Sequence, residues 1–120
     1  MVIEDEPLIA MDITSALERD GALVSGPVAT VDDALRIIEE KELDGALVDA
    51  NLRGRPVDDI AAALTRKGVP FVFVTGYGPE ALPSSFARAR VLKKPFTEEQ
   101  LREAAASLVQ QPRQVLRLRD

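Results

Sequence analysis

Acidic, hydroxyl and ammonium side chains stand in this sequence directly after four short apolar runs. In chain order, the runs are followed by Glu4 and Asp5, by Asp49, by Thr75, and by Lys93 and Lys94. Carboxylates held close together repel one another unless a cation neutralises them, and carboxylate oxygens suit a hard cation such as Mg²⁺. A carboxylate beside such a cation and an ammonium group can act as a nucleophile toward a phosphoryl group. The residue types therefore suggest metal-assisted phosphoryl transfer.

The composition narrows the chemistry further. The 120 residues contain no cysteine and no histidine, which excludes disulfides, thiolate metal sites and mechanisms based on a Ser-His-Asp or Cys-His pair. The net charge of −5 argues against a nucleic-acid surface, because such a surface needs clustered Lys and Arg. The sequence has neither an apolar run of about 18 residues nor an apolar leader, so we expect a cytoplasmic protein that binds no membrane.

Apolar spacing predicts the elements that would hold these side chains in place. Pro7 suits a first helical turn and Thr30 an N-cap, while Thr97 and Gln100 form a capping box. Apolar residues repeat at helical spacing in four segments, 9–17, 31–38, 57–64 and 101–108. A weaker helical pattern covers 79–87, and strand-like runs cover 1–3, 22–24, 46–48, 69–74 and 91–92.

Strands that alternate with helices at this spacing predict an α/β fold, with a parallel sheet and helices on both of its faces. The carboxyl ends of the strands in such a sheet share one crevice, so the polar residues that follow the strands should meet there. Each residue also has an ordinary interpretation: acids at a helix start, an aspartate in a turn, a solvated lysine. One site explains polar residues at four of the five predicted strand ends better than four coincidences do.

These residues resemble those of the receiver domains of bacterial two-component response regulators, and the resemblance runs from Met1 to about Val109. It implies a flavodoxin-like, doubly wound sheet of five parallel strands in the order 2-1-3-4-5. It also implies a receiver domain over residues 1–111 and a tail over 112–120. Such a domain can stand alone or form part of a hybrid histidine kinase.

By this resemblance, Asp49 is the phosphoacceptor. Thr75 would hydrogen-bond the phosphoryl group and Lys94, directly before a proline, would pair with it. The donor would be a histidine kinase or a histidine phosphotransfer protein, and the downstream protein partner is not indicated. The domain would catalyse only its own phosphorylation and dephosphorylation, so we expect no enzyme acting on a separate substrate.

The resemblance also implies Mg²⁺ as the cofactor. Asp5 and Asp49 would bind the ion directly, and Glu4 would help through a water molecule. Asn51, two residues after the phosphoacceptor, would contribute its backbone carbonyl.

One position departs from the family pattern. Many receivers carry Tyr or Phe three residues before the conserved lysine, and here that residue is Val91. Valine has no ring and a stiff χ1, so it cannot act as the usual aromatic switch. The run from Pro70 to Gly78 resembles the FATGUY subgroup of receivers, and we expect Tyr77 and the weak helix after it to carry the conformational change.

Two other protein classes share a related sheet. An aspartate-nucleophile phosphohydrolase would need a second aspartate where this sequence has Asn51, and 120 residues leave no room for a cap domain. A flavodoxin-like flavin carrier would need a phosphate-binding loop after the first strand, where Glu4, Asp5 and Glu6 would repel a phosphate. No DNA-binding helix pair follows Val109, so we expect no direct contact with nucleic acid.

Overall fold

The structure is a computed structural model and describes residues 1–76, 82 and 89–109. The expected helix over 79–87, apart from residue 82, lies outside the described residues, as do Tyr77 and the tail over 112–120. The described elements, in chain order, are β1 (Val2–Ile3), α1 (Pro7–Arg19), α2 (Val31–Glu40), β2 (Ala46–Asp49), α3 (Asp58–Arg66), β3 (Phe71–Thr75), β4 (Val91–Lys93) and α4 (Glu98–Val109).

The four described strands form one parallel sheet in the order β1-β2-β3-β4. A single row of paired residues crosses it, with Ile3 opposite Val48, Val48 opposite Phe73 and Phe73 opposite Val91. Because the strands run in the same direction and are in register along this row, their carboxyl ends lie along one edge of the sheet.

Residues 22–24, expected to be the second strand, form no strand. The outer edge of β1 pairs instead with residues slightly further along the chain: Val2 N donates to Ser25 O and Val28 N donates to Val2 O, both at 3.1 Å. Pro27 has no N–H to continue a ladder, so an isolated parallel bridge at Val28 replaces a strand. With this segment beside β1, the expected spatial order 2-1-3-4-5 is kept.

Gly26 makes this close approach to β1 possible. Its φ is +99°, and a Cβ built at this residue would lie 2.8 Å from Val2 O. Any other residue would therefore combine a disfavoured backbone conformation with a steric clash.

Helices cover both faces of the sheet, as expected. Strand residues alternate between the faces because successive side chains of a strand point to opposite sides. One apolar core joins α2 and α3 to the strand residues Ile3, Val48 and Phe73. The other joins α1 and α4 to Val2, Leu47, Val72, Val74 and Leu92.

The helix starts that the sequence indicated are confirmed. Thr30 Oγ1 accepts a hydrogen bond from Asp33 N at 3.1 Å. Thr97 and Gln100 make both bonds of the capping box, at 2.9 and 3.0 Å, and Pro7 occupies the first turn of α1. The starts of α1 and α4 keep the loops after β1 and β4 short. These two loops carry Glu4, Asp5 and Lys94.

The longest described helix is α1, with 13 residues. A helix that spans a bilayer needs about 20 apolar residues. No helix in the part of the chain that the structure describes could therefore cross a membrane.

Candidate functional site

Three carboxylates lie together at the carboxyl edge of the sheet. Glu4 and Asp5 directly follow β1, and Asp49 ends β2; one oxygen from each lies within 4.8 Å of the others. Glu4 is 3% exposed and Asp49 is 5% exposed, whereas Asp5 is partly open to solvent. The parallel pairing of β1 with β2 explains this convergence, because it sets the residues that end the two strands side by side.

Among the described residues, one ammonium group reaches this cluster. Lys94 follows β4, and its Nζ lies 3.1 Å from Glu4 Oε1 and 3.6 Å from Asp49 Oδ2. The backbone N–H of Lys94 donates to Thr75 O at 2.8 Å, which ties the lysine to the end of β3. Its neighbour Lys93 is exposed to solvent. The structure therefore brings Lys94, rather than Lys93, to the carboxylates.

Thr75 and Asn51 complete the set of residues expected from the sequence. Thr75 is 3% exposed at the end of β3, the strand that pairs with β2. The Asn51 N–H donates to Asp49 Oδ1 at 3.0 Å, and the Asn51 side chain accepts from Gly54 N at 2.9 Å. The Asn51 side chain therefore shapes the loop after β2, and the Asn51 backbone N–H orients the Asp49 carboxyl group.

The environment of Asp49 changes its proton affinity. Burial raises the pKa of Asp49 to about 7, and two effects of Glu4 add to the rise: protonated Asp49 donates a hydrogen bond to it, and its charge repels ionised Asp49. The Asn51 N–H and the Lys94 ammonium act in the opposite direction and offset only part of it. A cation bound at the cluster would displace this proton, because a nearby positive charge favours the ionised carboxylate.

The donor set fits a hard divalent cation. Three carboxylates face one ammonium group, so two negative charges are uncompensated when all the groups are ionised. Glu4 Oε1 is buried and accepts no well-aligned hydrogen bond in the described part of the chain, although Lys94 Nζ lies nearby. Few protein ligands, all of them oxygens, together with an opening to solvent at Asp5, match the preference of Mg²⁺ for a partly hydrated site.

Arg53 was not recognised from the sequence as part of the site. Its backbone N–H donates to Asp5 Oδ2 at 3.1 Å, which links the loop after β2 to the acidic cluster. Arg53 has a φ of 53°, and Gly54 follows with a φ of 77°. The glycine was the one local signal for this turn, and nothing in the local sequence connects the turn to Asp5.

Solved and curated proteins resemble this chain over most of its length. The solution structure of SdrG from Sphingomonas melonis Fr1 is 40% identical with a TM-score of 0.79, over 90% of this chain and 92% of SdrG. The phyllosphere-induced regulator PhyR of Methylorubrum extorquens is 34% identical over 80% of this chain, which spans only 38% of PhyR. The receiver domain of sensor histidine kinase PA1611 from Pseudomonas aeruginosa PAO1, solved with a magnesium ion in its active site cleft, is 22% identical with a TM-score of 0.77, over 90% of this chain and 93% of that domain.

The family assignment covers nearly all of the described structure. The family model for the response regulator receiver domain matches residues 1–106. That range includes the whole sheet, the acidic cluster, Thr75 and Lys94. The family expected from the sequence is thereby confirmed, and the chain belongs to the response regulator receiver domains, which accept a phosphoryl group in signal transduction.

Proposed function

We propose that Asp49 is the phosphoacceptor and that a phosphohistidine of a histidine kinase or a phosphotransfer protein is the donor. The observation that carries this proposal is the position of the Asp49 carboxyl group. It is buried beside the only ammonium group of the cluster that the structure describes, with Oδ1 held by Asn51 N and Oδ2 3.6 Å from Lys94 Nζ. Glu4 is held in a similar way, by Glu6 N at 3.0 Å and by Lys94 Nζ at 3.1 Å, whereas Asp5 contacts only a backbone N–H among the described residues. The choice of Asp49 over Glu4 therefore follows the resemblance to the family, in which the carboxylate that ends this strand is the phosphoacceptor.

The transfer requires little covalent chemistry from the protein. An Asp49 carboxylate oxygen forms a bond to phosphorus while the bond from phosphorus to the donor imidazole nitrogen breaks, and the electron pair stays on that nitrogen. Asp49 must be ionised first, and its raised pKa means that it carries a proton for part of the time at neutral pH without metal. The Thr75 hydroxyl would donate to a phosphoryl oxygen, and Lys94 would shift from Glu4 to pair with another. Catalysis is then mainly positioning and charge neutralisation.

Mg²⁺ is the cofactor that we assign to the cluster. Asp5 and Asp49 would hold it directly with the Asn51 carbonyl, and Glu4 would act through water. When bound, the ion neutralises the carboxylates and the charge that develops on the phosphoryl group. The buried Glu4 oxygen without an aligned hydrogen bond and the magnesium ion in the cleft of the PA1611 receiver both support this assignment.

The same site would also remove its own phosphoryl group by hydrolysis, so we propose that the chain acts on no separate substrate. A downstream protein would read the phosphorylated state. We propose that phosphoryl transfer to this chain occurs in the cytoplasm, because a histidine kinase is phosphorylated by ATP and ATP is available there.

The test compares wild type with Asp49→Asn and with Asp58→Asn, which makes the same change at an exposed residue at the start of α3. Each protein is incubated with Mg²⁺ and acetyl phosphate, and its intact mass is measured. We expect wild type and Asp58→Asn to gain one phosphoryl group that hydroxylamine removes, as it does from acyl phosphates. Asp49→Asn should gain none, because the nucleophile is missing. Equal labelling of Asp49→Asn would contradict the proposal.

A further inference from the structure

The loop after β2 contains a tight turn with an unusual residue in it. Leu52 and Arg55 form an antiparallel bridge, with Arg55 N donating to Leu52 O at 2.8 Å. The two central residues, Arg53 and Gly54, both have positive φ, at 53° and 77°, as in a type I′ turn. Leu52 is 1% exposed and anchors the turn in the core.

Arginine is a costly choice at the first central position of this turn. Positive φ brings Cβ close to the backbone, so glycine or asparagine usually occupies such positions. Arg53 is the only non-glycine residue with positive φ in the part of the chain that the structure describes. In this conformation its N–H reaches Asp5 Oδ2, at 3.1 Å.

Asp5 depends on this one contact. Glu4 is held by Glu6 N at 3.0 Å and by Lys94, and Asp49 is held by Asn51 N and by Lys94. Among the described residues, the Asp5 carboxylate makes no hydrogen bond or ion pair other than that with the N–H of the turn. A partly exposed carboxylate that is not held must lose its rotational freedom when it binds a metal, and this weakens binding.

We propose that Arg53 is a positioning residue: its backbone N–H, presented by the left-handed turn, holds the Asp5 carboxylate ready to bind Mg²⁺. This inference rests on the proposed function, because it assigns Asp5 to the metal. The conformation of the loop after the phosphoacceptor would then set the metal affinity of the site. The arginine side chain is not needed for this role.

Two substitutions at the same residue separate the backbone from the side chain. Arg53→Gly and Arg53→Val both remove the guanidinium charge, but glycine accepts a φ of 53° freely, whereas a β-branched residue does not. Mg²⁺ affinity is measured by calorimetry on the unphosphorylated proteins. We expect Arg53→Val to bind Mg²⁺ about threefold to tenfold more weakly than Arg53→Gly, from the cost of ordering one side chain.

Arg55→Val is the matched control, because it removes the same charge from the same turn at a residue without positive φ. Its affinity should stay within about twofold of that of Arg53→Gly, because the Arg53 conformation is retained. Equal affinities for Arg53→Val and Arg53→Gly would overturn the inference. So would an equal loss in all three variants, because the charge would then explain the effect.

A second measurement does not depend on the folding of Arg53→Val. Without Mg²⁺, the Arg53 amide proton should resonate upfield of its wild-type position and exchange faster in Asp5→Ala, because its acceptor is gone. Glu4→Ala serves as the control and should leave this amide proton nearly unchanged. An unmoved Arg53 amide in Asp5→Ala overturns this inference alone, whereas phosphoryl uptake by Asp49→Asn overturns the proposed function.

Discussion

The ionisation of Asp49 should destabilise the metal-free domain as the pH rises. The pKa of Asp49 is raised from 3.8 to about 7, first because the group is buried and then because Glu4 lies beside it. Its proton is therefore bound more tightly in the folded state than in the unfolded state. The resulting contribution to stability is fully present below the unfolded pKa of 3.8 and is lost as the pH rises through about 7.

The size of this effect follows from the shift. Each pKa unit corresponds to about 1.4 kcal/mol, so a shift of about three units sets an upper limit of about 4 kcal/mol. Asp49→Asn removes the titrating group and keeps an oxygen that can accept from Asn51 N, but it gives up the contact with Lys94. We therefore expect the free energy of unfolding of Asp49→Asn to exceed that of wild type by about 2 kcal/mol near pH 8 and by little near pH 4.

Urea unfolding followed by circular dichroism measures this difference. Wild type, Asp49→Asn and the exposed control Asp58→Asn are compared from about pH 4 to about pH 8 with EDTA present. The difference in unfolding free energy between Asp49→Asn and wild type should grow with pH, whereas the difference between Asp58→Asn and wild type should not. Added Mg²⁺ should narrow the gap near pH 8, because it stabilises the wild-type folded state. A gap that is independent of pH would refute the assignment of the destabilisation to Asp49 ionisation.

Three further outcomes are expected. Asp5→Asn should weaken Mg²⁺ binding, measured by calorimetry, more than Glu4→Gln does, and equal losses would contradict the direct role of Asp5. Gly26→Ala should lower the free energy of unfolding by more than about 2 kcal/mol, because its Cβ would lie 2.8 Å from a carbonyl oxygen of β1. Gly21 has a φ of +91°, but a Cβ there would meet nothing within 4 Å, so Gly21→Ala should lower the free energy of unfolding by only about 1 kcal/mol. Equal urea midpoints for Gly26→Ala and Gly21→Ala would contradict the steric argument. Arg19→Ala should cost less than about 1 kcal/mol in the same assay, because its ion pair with α4 is exposed.

Local sequence was sufficient to predict the parts of the site that follow directly from strand order. Four apolar runs are followed within two residues by Glu4, Asp49, Thr75 and Lys94, and parallel strands bring the residues at their carboxyl ends to the same edge of the sheet. Helix starts were equally predictable, because a cap such as that of Thr30 involves residues only a few positions apart. Such features depend on the periodic spacing of apolar residues and on contacts within one helical turn.

Contacts between distant segments decided the rest. Residues 22–24 have strand character, yet pairing with β1 falls on Ser25 and Val28, because Gly26 alone permits the close approach to Val2. The raised pKa of Asp49 depends on burial and on Glu4, 45 positions away in the sequence.

The bond from Arg53 to Asp5 likewise joins residues 48 positions apart. Its donor reaches Asp5 from a turn with positive φ, a conformation that the residue type disfavours. The sequence by itself determined which groups meet at the carboxyl edge of the sheet. Only the tertiary structure decided how each group is oriented and charged, because orientation and proton affinity depend on burial and on neighbours that local spacing does not encode.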